Sequence, residues 1–252
     1  QLGIDQSDKF LFVDFFTMSF QDLRSFLSKL EATGQLMQVE ESISSHLEST
    51  ALSLLSLRAD GPALLMAANS ESPQRYLGNL FGHRSRIEAV LSGRPLSSLR
   101  ELGELLAALK EPRWPGSLRD ALQSWPELAQ LAHVAPRNVR DAGFNDEVIE
   151  ANDIDLSRLP IQHCWPGDVG KLITLGLVIT RGTRKPRQNI AVYRQQVIGR
   201  NKVIMRWLSH RGGALDFHEW KQLHPGKPFP VSIALGADPA TILGAVTPVP
   251  DT

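Results

Sequence analysis

The sequence predicts a mixed α/β (α+β) fold built in two successive parts. Helical and strand periodicities alternate over residues 18–130, which indicates a first α/β domain. Short strands joined by tight turns follow from Ile173 onward, which is typical of antiparallel pairing. With 252 residues, 42% of them apolar, the chain has enough material for one large domain or two modest ones.

Composition narrows the class of protein. The 27 Lys and Arg residues balance the 27 Asp and Glu residues, so the charge gives no reason to expect a nucleic-acid partner. A single cysteine, Cys164, excludes an internal disulfide and fits a reducing cytosol. No apolar run approaches the ~20 residues of a membrane-spanning helix. Residues 1–17 contain an apolar run broken by Asp14, and two interpretations stay open: a leader or upstream extension, or an N-terminal strand.

Helical and strand patterns alternate through the first part of the chain. Phe20, Leu23, Phe26 and Leu30 recur at helical spacing and Gly34 offers a C-terminal cap, so we expect a helix over 19–33. The other elements predicted here are strands at 36–40, 63–66 and 76–82 and helices at 46–59, 84–92, 99–110 and 117–131.

The second part reads as a short antiparallel meander followed by helices. Strands are predicted at 173–180, 190–198 and 203–209, with turns at 181–186 and 199–202. A helix is expected over 215–223 and a strand over 230–235. Asp238 is placed to cap a helix that begins with Pro239, because proline is favoured in a first helical turn.

Two segments, 187–196 and 205–213, combine residues suited to binding an anionic, planar ligand. Arginine presents a rigid fork of donors to phosphate or carboxylate, and helix N-termini add positive potential. Glycine lets a ligand approach the backbone closely, and aromatic side chains pack on planar rings. The residues concerned are Tyr193, Arg194, Arg206, Trp207, Arg211, Gly212 and Gly213. Together they predict an anion-binding corner.

Each feature also has an ordinary structural explanation. A strand arginine is often solvent-exposed, a Gly-Gly pair is often a plain turn, and Trp207 could belong to the core. His163 and Cys164 resemble a nucleophile pair, but adjacent strand residues point to opposite faces, so we expect Cys164 to be structural. No dinucleotide fingerprint, phosphate-binding Walker loop, His-Glu-x-x-His or paired Cys-x-x-Cys motif is present.

The same segments carry a resemblance to a known family. Residues 187–196, 204–214 and 230–239 resemble the signature of UbiD decarboxylases, and residues 22–34 and 61–65 are similar to the N-terminal domain of that family. The similarity runs from Met18 to Thr252. It implies an N-terminal α/β domain at 18–130 and an incomplete split β-barrel, the flavin-binding domain, at 131–252.

The resemblance also implies a cofactor and a site. The cofactor would be prenylated FMN supplied by a flavin prenyltransferase, with its phosphate held through Mn²⁺ and with K⁺ nearby. By position, Asn189 matches a metal ligand, and His210 matches a histidine that ligates metal in some relatives. Arg194 matches the arginine beside the substrate carboxylate. The positions that match cofactor contacts are Val192, Tyr193, Arg194, Arg206, Trp207, Leu208, Arg211 and Gly212.

Two expectations concern geometry and completeness. Asn189 and Arg194 are five residues apart, so in an ideal strand they face opposite sides, and a bulge or a strand that starts at Asn189 would reconcile them. The resemblance places the proton-donating carboxylic acid and a further metal ligand after Thr252. We therefore expect residues 1–252 alone to be inactive as a decarboxylase.

The implied reaction is the non-oxidative decarboxylation of 4-hydroxy-3-polyprenylbenzoate to 2-polyprenylphenol in ubiquinone biosynthesis. Such a protein would be a cytoplasmic homo-oligomer, peripheral at the inner cell membrane because its substrate carries a polyprenyl tail. Two other interpretations stay open. The first is a split-barrel oxidoreductase that uses ordinary FMN and a nicotinamide, and the second is a non-catalytic module that binds a partner chain.

Overall fold

The computed structural model of the chain describes residues 20, 22–68, 73–91, 146–184 and 188–247, with residues 93, 95–97, 100 and 103 between them. Residues Phe20–Arg86 and Glu150–Thr247 form one compact unit, which contains almost everything described below. A second unit, of residues 1–19, 87–149 and 248–252, lies mostly outside the described residues. The predictions for 1–17 and 117–131, and most of the helix predicted at 99–110, also fall outside them.

The first part of the compact unit is a three-stranded sheet with helices packed on it. Its sheet order is β1-β2-β3, with β1 and β2 parallel and β2 and β3 antiparallel. Every residue of β2 is buried, as its apolar sequence predicts. The elements are α1 (Leu23–Ala32), β1 (Leu36–Val39), α2 (Glu48–Arg58), β2 (Ala63–Met66), β3 (Tyr76–Gly78) and α3 (Arg84–Val90).

Local signals explain where α1 begins and ends. The Asp22 side chain accepts a hydrogen bond from the Ser25 N–H at 2.7 Å, and the Ser25 hydroxyl accepts one from the Asp22 N–H, which is a capping box. Gly34 adopts φ +69 just after the helix, a conformation that glycine takes without strain. The apolar stripe of α1 buries Phe26 and Leu30 completely, which confirms the predicted helix.

Arg86 is a buried cation that ties three segments of this part together. Its guanidinium donates from Nε to the Leu80 carbonyl at 2.9 Å and from the two terminal nitrogens to the Gly61 and Asn79 carbonyls, both at 3.0 Å. The residue is 2% exposed, and burial lowers the pKa of its guanidinium. These bonds satisfy backbone acceptors that no helix or sheet ladder reaches.

The second part contains two antiparallel sheets of three strands each, ordered β4-β7-β8 and β6-β5-β9. Within the described residues these sheets do not close into a barrel. The elements are β4 (Leu172–Ile173), β5 (Leu177–Thr180), β6 (Asn189–Val192), β7 (Gln195–Gly199), β8 (Lys202–Met205), α4 (Gly212–Leu223), β9 (Ser232–Ala234) and α5 (Pro239–Val246).

The predicted single meander is wrong, although its hairpins are correct. The predicted strand 173–180 breaks into β4 and β5, and the strand 190–198 breaks into β6 and β7, so each contributes to both sheets. The first break packs closely: a Cβ at buried Gly176 would lie 2.6 Å from Gln195 Oε1. Side-chain alternation continues through such a crossing, so the sequence pattern alone does not reveal it.

Helix boundaries in this part follow their caps. Asp238 accepts from the Thr241 N–H at 2.9 Å, and Pro239 occupies the first turn of α5, as predicted. The strand predicted at 203–209 ends at Met205, and α4 begins at Gly212 rather than at 215. No helix in the described part of the chain is long and apolar enough to cross a membrane.

Backbone pairing joins the two parts of the compact unit. His46 and His163 form a parallel bridge with ring centroids 4.7 Å apart, and Gln162 Nε2 donates to Ser49 Oγ at 2.8 Å. Cys164 is buried beside this bridge, in keeping with a structural residue.

Candidate functional site

The candidate site lies where the β5–β6 hairpin meets the first turn of α4. Asn189 opens β6 and pairs in register with Thr180 at the end of β5. Asn189 Nδ2 donates to Thr180 Oγ1 at 3.2 Å, and Thr180 Oγ1 donates to Asp216 Oδ2 at 2.6 Å. Thr180 and Asp216 are 2% and 4% exposed, so the bond between them is buried and fixes the hairpin to α4, while the Asn189–Thr180 bond is partly buried.

Two glycines at the start of α4 allow close approach to this corner. A Cβ at Gly212 would overlap the Asn189 side chain at Oδ1, and a Cβ at Gly213 would lie 3.1 Å from the Trp207 ring. The Gly213 N–H donates to the Tyr193 hydroxyl at 3.3 Å. Gly212 is therefore required by packing, and the Gly-Gly pair lets Asn189 and Trp207 lie directly against the start of the helix.

An aromatic cluster forms one wall of the corner. The Trp207 ring lies 6.1 Å from Tyr193, 5.9 Å from Phe217 and 6.1 Å from Phe229, measured between ring centroids. Trp207 Nε1 is buried without a hydrogen-bond partner, as are several side-chain atoms elsewhere in the described residues, Gln195 Oε1 among them. Buried polar atoms nearly always have partners in native proteins, so Trp207 Nε1 has a donor to spare at this wall.

The N-terminus of α4 is suited to an anion. Arg211 occupies the N-cap position without a side-chain capping bond, and the first turn contains no acidic residue. The helix dipole attracts negative charge at this end, where the Gly213 N–H already donates to Tyr193. Arg194, Arg206 and Arg211, which adjoin Tyr193, Trp207 and Gly212 in the chain, are all exposed.

The structure brings some of the predicted site residues together and leaves others at the surface. Asn189, Tyr193, Trp207 and Gly212 meet in one corner. Val192 is half-buried at the end of β6. The geometric conflict between Asn189 and Arg194 is resolved, because Asn189 starts the strand and Arg194 lies in the break after it. The residues at the surface are Arg194, Arg206, Leu208, His210 and Arg211, and their roles stay predictions.

Sequence reasoning missed three residues of the corner: Thr180, Asp216 and Gln195. Signals for two of them were present. Thr180 ends the strand that precedes the basic turn. Asp216 follows Gly212 by four residues, which places Gly212 and Asp216 on one face of the helix. Gln195 is fully buried and donates from Nε2 to the Tyr193 carbonyl, and no local pattern predicts a buried glutamine at this position.

These features fit a phosphate-bearing planar cofactor such as FMN. The uncapped helix start and the glycines accommodate the phosphate, and the unpartnered Trp207 Nε1 offers a donor. For a metal ion, Asn189 Oδ1 fits as one oxygen ligand. The described residues contain no group of three or more His, Cys, Asp or Glu that could hold a metal, so they supply only part of a ligand set.

A second opening lies beside the corner. This cleft of about 520 Å³ lies at the turn end of the β5–β6 hairpin, next to Trp220 of α4. Thr180, Arg181, Gly182 and Trp220 line it, and a Cβ at Gly182 would lie 2.5 Å from Glu219 Oε2.

Comparison with protein families identifies the chain. Residues 27–106 match the model of the 3-octaprenyl-4-hydroxybenzoate carboxy-lyase N-terminal domain, and residues 137–252 match that of the Rift-related domain of the same carboxy-lyase. The two models describe domains of one family and together account for most of the sequence. The chain belongs to the UbiD family.

Solved structures share the fold. The vanillic acid decarboxylase of Sedimentibacter hydroxybenzoicus, in its closed form, is 24% identical with a TM-score of 0.69 over 91% of this chain and 46% of that chain. HmfF of Pelotomaculum thermopropionicum, a UbiD-class enzyme solved with FMN, is 24% identical with a TM-score of 0.67 over 91% of this chain and 49% of that one.

A third solved structure agrees. The apo 3,4-dihydroxybenzoic acid decarboxylase of Klebsiella pneumoniae is 21% identical with a TM-score of 0.65 over 92% of this chain and 46% of that chain. The chain thus spans about half the length of these structures. The likeness confirms the predicted mixed α/β fold class.

Proposed function

We propose that this chain forms the cofactor-binding part of a carboxy-lyase that uses prenylated FMN to decarboxylate an aromatic acid. The observation that carries the proposal is the meeting of Asn189, Tyr193, Trp207 and Gly212 at the uncapped start of α4. Four positions singled out from separate sequence segments converge there. Membership of the UbiD family and solved relatives described with FMN or prFMN support the same cofactor.

The proposed substrate is 4-hydroxy-3-polyprenylbenzoate, converted to 2-polyprenylphenol in ubiquinone biosynthesis. Support comes from the matching family models, which are described as 3-octaprenyl-4-hydroxybenzoate carboxy-lyase domains.

The chain's own residues would bind the cofactor and orient the substrate. The first turn of α4 would hold the cofactor phosphate, because the positive end of the helix dipole lies there and the turn contains no acidic residue. Tyr193 and Trp207 would line the ring and exclude water from one side. Arg194 would orient the departing carboxylate through paired donors. Prenylated FMN, when bound, supplies the electron sink that decarboxylation needs.

The proposal extends to partners. A flavin prenyltransferase would supply the cofactor, Mn²⁺ would bind at Asn189 and, with weaker support, at His210, and K⁺ would bind nearby. One solved relative is described as an evolved dimeric form, and we propose a homo-oligomer here too. We place the protein in the cytoplasm, peripheral at the inner cell membrane where a polyprenyl substrate resides.

Release of carbon dioxide tests the proposal. The protein expressed from its complete gene, together with a flavin prenyltransferase and Mn²⁺, is expected to decarboxylate a 3-prenyl-4-hydroxybenzoate. Arg194→Leu should abolish turnover, whereas Arg200→Leu, which removes an exposed arginine paired with Asp155 at 3.3 Å, should not. Recovery of unmodified FMN with nicotinamide oxidation and no carbon dioxide would refute the proposal and favour the oxidoreductase.

A further inference from the structure

In the two hydrogen bonds that join Asp216, Thr180 and Asn189, the available hydrogens determine which group donates and which accepts. As a carboxylate, Asp216 only accepts, so the Thr180 hydroxyl 2.6 Å away gives its single hydrogen to Oδ2. Thr180 Oγ1 then has only acceptor capacity left. Asn189, 3.2 Å from that oxygen, must therefore present its NH₂ group, and its carbonyl Oδ1 turns the other way.

From this order of donors and acceptors we propose that Thr180 and Asp216 are positioning residues that keep Asn189 Oδ1 directed at the start of α4, as an oxygen ligand for a divalent cation beside the cofactor phosphate. The proposal rests on the proposed function. It concerns two residues whose part is to orient Asn189 and not to touch the ligand themselves.

The position of Oδ1 supports this role. It lies where a Cβ at residue 212 would be, so the missing side chain of Gly212 leaves room for it. A carbonyl oxygen next to a phosphate is repulsive unless a cation lies between them. Carboxamide oxygens are hard ligands of the kind that Mg²⁺ and Mn²⁺ accept.

The orientation needs an explicit device because a carboxamide rotated by half a turn has nearly the same shape. Without Asp216, the Thr180 hydroxyl is free to donate to Asn189 Oδ1, and the NH₂ group would then face the cation. An NH₂ group is no ligand, so affinity would fall although Asn189 is still present. Loss of a group that orients a metal ligand typically lowers metal affinity by roughly 10–100-fold.

The chain offers matched variants at both positions. Thr180→Ser keeps the hydroxyl, whereas Thr180→Val removes it at nearly constant shape. Asp216→Asn keeps an acceptor oxygen for Thr180, whereas Asp216→Leu removes it. Both residues are buried, so a variant could lose Mn²⁺ simply because the fold is disturbed. Measuring the affinity for two ligands distinguishes this from a positioning role, because Mn²⁺ needs Asn189 Oδ1 and FMN with chelator present does not.

The experiment uses the protein expressed from its complete gene. Mn²⁺ affinity is measured in the presence of FMN, from the electron paramagnetic resonance signal of unbound Mn²⁺. FMN affinity is measured with chelator present, from flavin fluorescence. We expect Asn189→Ala, Thr180→Val and Asp216→Leu to weaken Mn²⁺ binding roughly 10-fold or more. Thr180→Ser and Asp216→Asn should stay within about threefold of the unaltered protein, and FMN affinity should stay within about twofold in all five variants.

The outcomes separate the two proposals. If Asn189→Ala loses Mn²⁺ while Thr180→Val and Asp216→Leu bind it normally, the positioning role is refuted and the proposed function stands. If these two variants lose Mn²⁺ and FMN equally, they only hold the fold, which also refutes it. If the unaltered protein binds neither ligand, the proposed function itself fails.

A measurement on the unaltered protein tests the inference even if the variants do not fold. The side-chain NH₂ resonance of Asn189, identified by its absence in Asn189→Ala, is expected to exchange slowly with solvent because Thr180 holds it. Rapid exchange would show that Nδ2 is not held there and would overturn the inference.

Discussion

Substitution of Gly212 by alanine tests the contact at the centre of the corner. In a helix, Gly→Ala ordinarily stabilises by about 0.5–1 kcal/mol, because alanine loses less backbone entropy on folding. At 212 the new Cβ would overlap Asn189 Oδ1, and Asn189 is anchored by its bond to Thr180. Displacing it sacrifices that bond, worth about 0.5–1.5 kcal/mol, and adds packing strain of about 1–3 kcal/mol. We therefore expect a net destabilisation of about 2 kcal/mol, within a range of roughly 0.5–4 kcal/mol.

Gly244 provides the matched control. It lies in α5 with no atom within 4 Å of an added Cβ, so Gly244→Ala should stabilise by about 0.5–1 kcal/mol. Urea unfolding followed by circular dichroism measures both changes. In an Asn189→Ala background the cost of Gly212→Ala should disappear, since the overlapping atom is gone. Equal stabilisation by the two glycine substitutions would refute the contact.

Three further predictions concern the scaffold. Arg86→Leu should lower the free energy of unfolding by about 3 kcal/mol, because the buried Leu80 carbonyl and the half-buried Gly61 and Asn79 carbonyls lose the guanidinium donor. Arg58→Leu at an exposed helix end should change it by less than about 0.5 kcal/mol. Asp238→Ala should cost about 1 kcal/mol in urea unfolding by removing the N-cap of α5, and Asp238→Asn should restore most of it. The hydrogen bond from the Ser25 backbone N–H lowers the pKa of Asp22 below its ordinary 3.8. The ionised Asp22 side chain therefore stabilises the folded protein fully above pH 3.8, and this contribution is lost as the pH falls below that value. Asp22→Asn should therefore make the loss of stability below pH 3.8 less steep, and an unchanged acid limb would contradict the cap.

Local signals in the sequence predicted individual elements well. The capping box at Asp22, the buried strand Ala63–Met66 and the Asp238-Pro239 helix start were all recoverable, because each depends on residues close in sequence. The split of the predicted meander into two sheets was not recoverable. It depends on contacts across space, such as buried Gly176 against Gln195, that leave period-2 alternation unchanged.

The candidate site divides in the same way. Trp207 and Gly212 stand in segments whose composition indicates a binding site, whereas Asn189 was indicated only by the family resemblance. Thr180 and Asp216 are an ordinary strand threonine and helix aspartate until the fold brings them within hydrogen-bonding distance, 36 residues apart in the chain. Residues that orient others carry no signature of their own, because their role depends on pairing rather than on residue type.

A crystal structure of the protein expressed from its complete gene, with its flavin bound, tests the central claim most directly. We expect the phosphate at the first turn of α4, next to Gly212 and Gly213, with the flavin ring beside Tyr193 and Trp207. A flavin bound elsewhere, for example in the cleft lined by Arg181 and Trp220, would contradict it.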